Sequence, residues 1–236
     1  MNNISIVIPV YNESENLDHL IKELVHCLKK INIKIKYEII IVNDGSTDKT
    51  LITLKKLNDK YKFKIITNQY NQGQSYSISS GIKISKYNTI ITLDGDLQND
   101  PNDLNKLLNI YFGNGDVNLV GGIRKNRKDK IMKIFSSKFA NYIRKFILKD
   151  DCVDTGCSLK IFDKEIFLKF PYFNGMHRFL PALFKGYGSS CIFTNVNHRQ
   201  RVKGESKYGT FDRLLRGIID LIRVKKILMS YNKKNV

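Results

Sequence analysis

Two aspartates one residue apart follow a short apolar run in the stretch TIITLDGDLQND, residues 89–100. At the end of a buried strand, the carboxylates of Asp94 and Asp96 could converge on a divalent cation, and Gln98 would add an oxygen ligand. A cation held in this way keeps coordination positions for substrate phosphates. The alternative interpretation is a solvated acidic turn at the start of the next helix.

The chain around this stretch alternates between apolar runs and amphipathic segments. Nearly continuous apolar runs predict strands that are buried on both faces, and helical spacing predicts α-helices between them. This alternation indicates a mostly parallel sheet, at which ligands bind beyond the carboxyl ends of the strands. The predicted strands are 4–10, 37–43, 63–68, 89–94 and 117–122, and the predicted helices are 14–30, 48–60, 74–86 and 101–112.

The residues at the predicted strand ends are acidic and polar rather than glycine-rich. The first strand runs into Pro9, Tyr11 and Glu13, and the second runs into Asp44. No Gly-x-Gly-x-x-Gly follows the first strand, and the sequence has no Gly-Lys-Ser/Thr phosphate loop, which disfavours a dinucleotide-binding fold and a P-loop. The edge of the sheet is therefore predicted to present carboxylates.

Positive charge is concentrated in the second half of the 236-residue chain, whose formal net charge is +18. Residues 1–123 carry 14 Lys, no Arg and 13 acids, whereas residues 124–236 carry the other 26 basic residues and 9 acids. A coding bias toward Lys does not explain why Arg is confined to the second half. A basic half implies an anionic partner, which is nucleic acid, a phosphorylated substrate or an acidic membrane surface.

Other features of the sequence exclude several classes of protein. The four Cys form no Cys-x-x-Cys pair, so we expect no structural zinc site, and a reducing compartment is favoured. The first residues predict a strand rather than a signal peptide. No stretch of the sequence is long and apolar enough to span a bilayer. No repeat or linker divides the chain, which predicts a single domain.

Six motifs in this order and spacing resemble family 2 glycosyltransferases of the GT-A fold, and within them the polyprenyl-phosphate branch typified by dolichol-phosphate mannose synthase. The resemblance implies one α/β GT-A domain over 1–236, with a mostly parallel central sheet flanked by helices and with C-terminal amphipathic helices. Residues 1–123 would bind nucleotide-sugar and metal, and residues 124–236 would face the acceptor and the membrane. The motifs are VIPVYNESENL (7–17), EIIIVNDGSTDKT (38–50), NQGQSYSISSGI (71–82), LDGDLQNDP (93–101), GGIRKNR (121–127) and HRQRVKGESKYG (198–209).

The resemblance also implies roles for individual residues and a metal cofactor, Mg²⁺ or Mn²⁺. The metal ligands would be Asp94, Asp96 and Gln98. The catalytic residues would be Asp96, Arg124, Arg201 and Lys207, and the acceptor phosphate would be bound by Arg199, Arg201, Ser206 and Lys207. The nucleotide-sugar would be bound by Pro9, Tyr11, Glu13, Val42, Asp44, Asp94, Gly95, Asp96 and Arg124.

The abundance of cations bears on the acceptor. A sugar hydroxyl needs a general base when it attacks, whereas a phosphomonoester is already ionised at neutral pH and needs only positive charge to hold it. Asp154 is the one candidate base that stays open. We therefore predict inverting transfer of a sugar from a GDP- or UDP-sugar to undecaprenyl or dolichyl phosphate, without a nucleic-acid partner. The alternatives are a family 2 enzyme acting on a cell-surface glycan, and a basic nucleic-acid-binding protein, which would leave the acidic strand ends unexplained.

Two segments, 131–147 and 211–229, combine an apolar helical stripe with basic residues. Arg144 lies among the polar positions of the first, and Ile218 and Ile222 belong to the stripe of the second. Basic amphipathic helices bind anionic membrane surfaces, although both stripes could instead pack against the sheet. We expect a cytoplasmic protein held at the inner face of the membrane by these helices, or by a membrane-embedded partner protein.

Overall fold

The computed structural model describes residues 2–31, 33–125, 144–200 and 210–234, with side chains in the last range described for 217–233. Seven strands form one sheet in the order β3-β2-β1-β4-β6-β5-β7. The strands are β1 (Asn2–Val10), β2 (Ile35–Asn43), β3 (Lys64–Thr67), β4 (Thr89–Thr92), β5 (Val117–Arg124), β6 (Lys160–Asp163) and β7 (Ser190–Val196). The helices are α1 (Leu17–Lys30), α2 (Thr50–Tyr61), α3 (Gln74–Lys83), α4 (Asp103–Gly113), α5 (144–148), α6 (Lys164–Leu168), α7 (Leu180–Gly186) and α8 (Thr210–Lys234), with a 3-10 turn at Met176–Arg178.

The first four strands form the parallel part of the sheet. β1 pairs in parallel with β2 and β4, and β2 pairs in parallel with β3. Apolar side chains alternate between the two faces, so that Ile6 and Ile8 belong to the core cluster that includes α1, α2 and α4, whereas Val7 belongs to the cluster that includes α3, α6 and α7. Helices on both faces explain why these strands read as nearly continuous apolar runs. The predicted α/β fold with a mostly parallel sheet is confirmed.

The structure adds two strands that the apolar runs did not predict. β6 lies antiparallel between β4 and β5, and β7 pairs in parallel with β5. β6 has four residues and begins at the buried Lys160, and β7 mixes polar with apolar residues, so neither shows a long apolar run. Because β6 runs in the opposite direction, Lys160 lies at the edge where β4 and β5 end.

The amphipathic segment 131–147 is described only at its end, where one of its predicted basic surface positions is buried. Residues 131–143 lie outside the described residues. In α5, Arg144 is 5% exposed and so does not face outward as a basic residue of a membrane-binding helix would, whereas Phe146 of the apolar stripe is 79% exposed. The physical reason is an internal ion pair, since the guanidinium of Arg144 lies 3.0 Å from Asp150 and also donates to the carbonyl of Cys152.

The predicted helix at 211–229 is present as α8, and its apolar stripe faces outward at the positions that the structure describes. Ile218 and Ile222 are 49% and 52% exposed, whereas Leu221 and Val224 are buried in the core cluster that includes α3 and α7. The alternative in which the stripe packs against the sheet is therefore wrong for these two isoleucines. Across the described ranges, no helix combines the length and the apolar character needed to cross a membrane.

Gly81 allows α3 to approach the sheet closely, and this contact yields a stability prediction. A Cβ at Gly81 would lie 2.5 Å from Cγ1 of Val7 and 3.1 Å from Cγ2 of Val42. We expect Gly81→Ala to lower the free energy of unfolding by about 1 to 2 kcal/mol, because overpacking outweighs the gain in helix propensity. Chemical denaturation followed by circular dichroism measures the change.

Gly217 in α8 is the matched control, since a Cβ there would meet nothing within 4 Å. Gly217→Ala should raise the free energy of unfolding by about 0.5 to 1 kcal/mol through helix propensity alone. Equal stabilisation by both substitutions would contradict the close approach of α3 to β1 and β2.

Candidate active site

The loop that follows β1 is fixed against the loop that follows β2. Asn12 adopts a positive φ of 54°, its main-chain N–H donates to Oγ of Ser46 at 2.9 Å, and its side-chain oxygen accepts from the N–H of Thr47 at 2.8 Å. The N–H of Glu13 donates to Oγ1 of Thr50 at 2.9 Å. These bonds hold the loop at the carboxyl edge of the sheet.

The predicted nucleotide-binding residues at the start of the chain lie on or beside this loop. Pro9, Tyr11 and Glu13 are partly exposed, whereas Val42 is buried in β2. Oε2 of Glu13 accepts a hydrogen bond from the amide of Asn16 at 2.6 Å. Their contact with a nucleotide stays a prediction.

Asp44 has an internal role that the sequence did not reveal. It is 3% exposed. Its Oδ1 accepts from the amide of Asn68 at 2.7 Å and from the N–H of Gln72 at 2.9 Å, and its Oδ2 accepts from the N–H of Gly73 at 2.8 Å. Asp44 therefore holds the loop that leads into α3, and its predicted contact with the nucleotide stays a prediction.

The acid pair lies on a tight turn directly after β4. Oδ1 of Asp94 accepts from the amide nitrogen of Gln74 at 2.7 Å, and the N–H of Asp94 donates to Oδ1 of Asn99 at 2.8 Å. Oδ1 of Asp96, which is 8% exposed, accepts from the N–H of Gln98 at 3.1 Å. The turn therefore positions both carboxylates at the end of β4.

Gly95 lets this turn pack tightly on β1. A Cβ at Gly95 would lie 2.7 Å from Cγ1 of Val10 and 3.4 Å from the carbonyl oxygen of Pro9. A larger residue would push the acid pair away from the end of the first strand. The structure thus gives Gly95 a packing role, and its predicted part in nucleotide-sugar binding is not tested.

The environment of the acid pair suits a divalent cation. Burial and the charge of Asp96 raise the pKa of Asp94 to about 6, although Ser158, Lys160 and Arg124 act in the opposite direction. Two close carboxylates in a poorly solvated site repel each other, and Mg²⁺ or Mn²⁺ with oxygen ligands would remove that repulsion. Within the described ranges no group of three or more His, Cys, Asp or Glu could hold a metal. The remaining ligands would thus come from substrate and water.

Two cations from the second half of the chain lie at the same edge. The Nε and Nη2 atoms of Arg124 donate to the two carboxylate oxygens of Asp154, each at 2.7 Å. Burial opposes the charge of Arg124, but this ion pair, with smaller contributions from Cys157 and Asp94, raises its pKa above the ordinary value. Lys160 is 3% exposed and donates to the carbonyl of Cys157.

Asp154 was the one candidate base from the sequence, and the structure favours a different role for it. Both of its carboxylate oxygens accept from the guanidinium of Arg124, and the main-chain N–H of Arg124 donates to Oδ2 at 3.1 Å. This arrangement orients the arginine at the end of β5. The predicted catalytic role of Arg124 itself is not tested.

The guanidinium of Arg199 is bound by two carboxylates of the protein. It binds both carboxylate oxygens of Glu23, at 2.6 and 2.7 Å, and Oδ1 of Asp100 at 2.7 Å. These bonds compensate the charge of Arg199 and anchor the segment after β7, and its predicted contact with the acceptor phosphate stays a prediction. The predicted residues Arg201, Ser206 and Lys207 lie outside the described residues.

The same segment is bonded to the turn that carries the acid pair. Asn99 and His198 form an antiparallel bridge, and the N–H of Arg199 donates to the carbonyl of Gln98 at 3.0 Å. The amide nitrogen of Gln98 lies 3.4 Å from the carbonyl oxygen of Arg199. Gln98 thus joins the two segments, and its predicted role as a metal ligand stays a prediction.

Sequence reasoning missed three residues of this site, Gln74, Lys160 and His177. Gln74 begins the helix that follows the third strand, and Lys160 interrupts an apolar stretch, so both residues carried a signal in the sequence. His177 carried none, because its partner Ser75 lies 102 positions away, with Oγ 2.6 Å from Nδ1 of the histidine.

The pH dependence of stability follows from His177, part of whose surface stays accessible. Burial and the charges of Arg178 and Lys160 lower its pKa from 6.5 to about 3. The unfolded chain therefore binds a proton that the folded chain does not, so stability is present above 6.5 and is lost as the pH falls below that value. The loss approaches about 1.4 kcal/mol per pH unit.

Urea denaturation between about pH 6 and pH 5 measures this loss, which we expect to be smaller in His177→Gln than in the wild type. His26→Gln, which alters an exposed histidine of α1, serves as the control and should keep the wild-type slope. Equal slopes for wild type and His177→Gln would contradict the lowered pKa.

Sequence comparison identifies relatives of the chain. Residues 5–170 match the family model described as glycosyl transferase family 2. The dodecaprenyl-phosphate galacturonate synthase of Rhizobium johnstonii is 34% identical over 226 residues, which cover 94% of this chain and 66% of that protein. The undecaprenyl-phosphate 4-deoxy-4-formamido-L-arabinose transferase of Pectobacterium carotovorum subsp. carotovorum is 32% identical over 93% of this chain and 66% of its own length. The chain thus spans 66% of the length of both relatives.

Solved structures support the fold. Glucosyl-3-phosphoglycerate synthase from Mycobacterium tuberculosis, solved with Mn²⁺, uridine diphosphate and phosphoglyceric acid, has a TM-score of 0.70 at 15% identity, covering 94% of this chain and 77% of that one. The same enzyme with Mg²⁺ and uridine diphosphate has a TM-score of 0.71 at 14% identity, covering 95% of this chain and 79% of that one. At this identity the likeness concerns the fold, which is of the predicted GT-A type. Because the family model spans well over half of the sequence, this chain belongs to glycosyl transferase family 2.

Proposed function

We propose that this chain transfers a sugar from a nucleotide-sugar to a polyprenyl phosphate, with Mg²⁺ or Mn²⁺ as cofactor. The observation that carries the proposal is the Asp94 and Asp96 pair at the carboxyl edge of the sheet, beside the cations Arg124 and Lys160. The names of both curated relatives contain a polyprenyl phosphate, and they match this chain over 93% or more of its length. The donor is a GDP- or UDP-sugar.

The acid pair and Arg124 would act together on the diphosphate of the donor. Asp94 and Asp96 would hold the cation, which when bound neutralises the diphosphate and makes the nucleoside diphosphate a better leaving group. Arg124, oriented by Asp154, adds positive potential at the end of β5. Pro9, Tyr11, Glu13 and Asp44 would bind the nucleoside, together with Val42 and Gly95.

On the acceptor side, an oxygen of the lipid phosphate attacks the anomeric carbon from the face opposite the diphosphate. The new carbon–oxygen bond forms as the bond to the diphosphate breaks, and the electron pair of the breaking bond leaves with the nucleoside diphosphate. Because attack and departure occur on opposite faces, the configuration at the anomeric carbon inverts. No proton has to be removed, because the phosphate is already ionised. Arg201, Ser206 and Lys207 remain the proposed phosphate ligands.

A glycan acceptor is the second candidate, and one observation disfavours it. A sugar hydroxyl requires a general base. Asp154 was the residue kept for that role, and both of its oxygens accept hydrogen bonds from Arg124. A phosphate acceptor does not need such a base, so the ion pair is better explained by a role of Asp154 in orienting Arg124.

Helix α8 supports peripheral attachment to the inner face of an anionic membrane. Ile218, Ile219, Ile222 and Met229 are each about half exposed, at 49%, 57%, 52% and 53%. Lys225 and Lys226 are exposed on the same helix. Apolar insertion and attraction of lysines to acidic headgroups would act together at such a surface. A membrane-embedded partner protein is the alternative means of attachment.

A transfer assay tests the proposed function. We expect purified protein with Mn²⁺ to label a short polyprenyl phosphate from one member of a panel of radiolabelled UDP- and GDP-sugars. EDTA, Asp94→Asn and Asp96→Asn should each abolish labelling, because the diphosphate charge is no longer neutralised. Asp116→Asn, at an exposed acid before the start of β5, is the matched control and should keep activity.

Two outcomes of this assay would contradict the proposal. Full transfer in EDTA, or by both variants, would contradict the requirement for a metal. Transfer to a soluble glycan, with no labelling of any polyprenyl phosphate, would favour the second candidate.

Vesicle sedimentation tests the role of α8. We expect binding to anionic vesicles at low salt and release at high salt, since salt screens the attraction between lysines and headgroups. Lys225→Glu with Lys226→Glu should weaken binding by about tenfold or more, given roughly 1 kcal/mol per lysine near the surface.

The matched control is Lys55→Glu with Lys56→Glu, which reverses two exposed charges on α2 and should leave binding unchanged. Equal sedimentation with neutral and anionic vesicles would contradict the electrostatic part of the proposal. Absence of binding to either kind of vesicle would favour a membrane-embedded partner.

A further inference from the structure

The amide of Gln74 links α3 to the acid pair. Gln74 is the first residue of α3, and its Nε2 donates to Oδ1 of Asp94 at 2.7 Å. An amide nitrogen donates two hydrogen bonds and carries no charge. Gln74 therefore orients the carboxylate of Asp94 without neutralising it, which is what a carboxylate needs from a neighbour if it is to bind a cation.

The backbone that precedes Gln74 is hydrogen-bonded to Asp44. The N–H groups of Gln72 and Gly73 donate to the buried carboxylate of Asp44 at 2.9 and 2.8 Å. Gly73 has a φ of 92°, a conformation that residues with a Cβ rarely adopt. The chain is thus turned sharply into α3 by bonds to a residue at the end of β2.

The backbone behind Gln74 is fixed as well. Ser75 is 1% exposed, and its Oγ accepts from the N–H of Gly175 at 3.0 Å and lies 2.6 Å from Nδ1 of His177. With both neighbours held, the side chain of Gln74 starts from a defined position. From this position the amide of Gln74 reaches Asp94.

We propose that Gln74 is a positioning residue for the metal, and that Asp44 acts through it. The amide of Gln74 would hold Asp94 in the orientation that ligates the cation, and Asp44 would set Gln74 through the N–H groups of Gln72 and Gly73. The inference rests on the proposed function, in which Asp94 binds Mg²⁺ or Mn²⁺. Groups that hydrogen-bond a metal ligand typically change metal affinity by about 10- to 100-fold.

Mn²⁺ titration followed by electron paramagnetic resonance of the free ion tests the inference without any turnover. We expect Gln74→Leu, of similar size but without a donor, to weaken Mn²⁺ binding by about 10-fold or more. Gln74→Asn, which keeps the amide but shortens the side chain, should also weaken it. Gln72→Leu is the matched control and should keep the wild-type Mn²⁺ affinity, because Gln72 donates to Asp44 through its main chain.

Asp44→Asn tests the second step of the linkage. An asparagine has one oxygen and an NH₂ group in place of two accepting oxygens, so it cannot accept from both the N–H groups of Gln72 and Gly73 in the observed arrangement. We expect weaker Mn²⁺ binding in the absence of nucleotide, and no further loss when Gln74→Leu is added. Unfolding by urea without metal shows that each variant is folded.

The outcomes separate this inference from the proposed function. Wild-type Mn²⁺ affinity in folded Gln74→Leu and Gln74→Asn would overturn the positioning role while leaving metal-dependent transfer in place. Full additivity of Asp44→Asn and Gln74→Leu would overturn the link through Asp44. No binding of Mn²⁺ by the wild type, alone or with uridine or guanosine diphosphate, would overturn the inference together with the metal-dependent function.

Discussion

Carboxylates that are buried or only partly exposed crowd the carboxyl edge of this sheet, and the local structure compensates the cost of bringing them together. A buried charge costs several kcal/mol unless hydrogen bonds or an opposite charge compensate it. That cost is comparable to the free energy of unfolding of a whole domain. Asp44 is compensated by main-chain N–H groups, Asp94 by an amide and Asp154 by a guanidinium. The shape of the loops between 68 and 74 and between 94 and 99 follows from these bonds.

Acids from the first half of the chain and cations from the second half meet at this edge. The near-neutral first half supplies Asp44, Asp94 and Asp96, and the basic second half supplies Lys160 together with Arg124, the last residue of β5. The antiparallel β6 brings Lys160 back to the point where β4 ends, because Lys160 pairs with Thr92. Cations and acids that are distant in sequence therefore share one site.

Sequence reasoning captured the features that repeat locally and missed those that depend on distant partners. β1 to β5 and the helices between them follow from apolar runs and helical spacing, and the acids of the site follow from the strand ends. β6 is short and begins with a lysine, so only its neighbours β4 and β5 define it as a strand. Arg144 and Arg199 looked like solvated or phosphate-binding charges, because the carboxylates that bind them cannot be located from the sequence. For Arg199, one of those carboxylates lies 176 positions away.

The clamp formed by Arg199 with Glu23 and Asp100 has a consequence for how such enzymes can be recombined. It ties the segment after β7 to helix α1 and to the turn after β4, so three distant pieces of sequence form one mechanical unit. A chimera that imports a segment after β7 without a counterpart of Arg199 would leave the carboxylates of Glu23 and Asp100 without this partner. The segment after β7 is therefore not an independent module in this chain, and its exchange requires replacing all three pieces together.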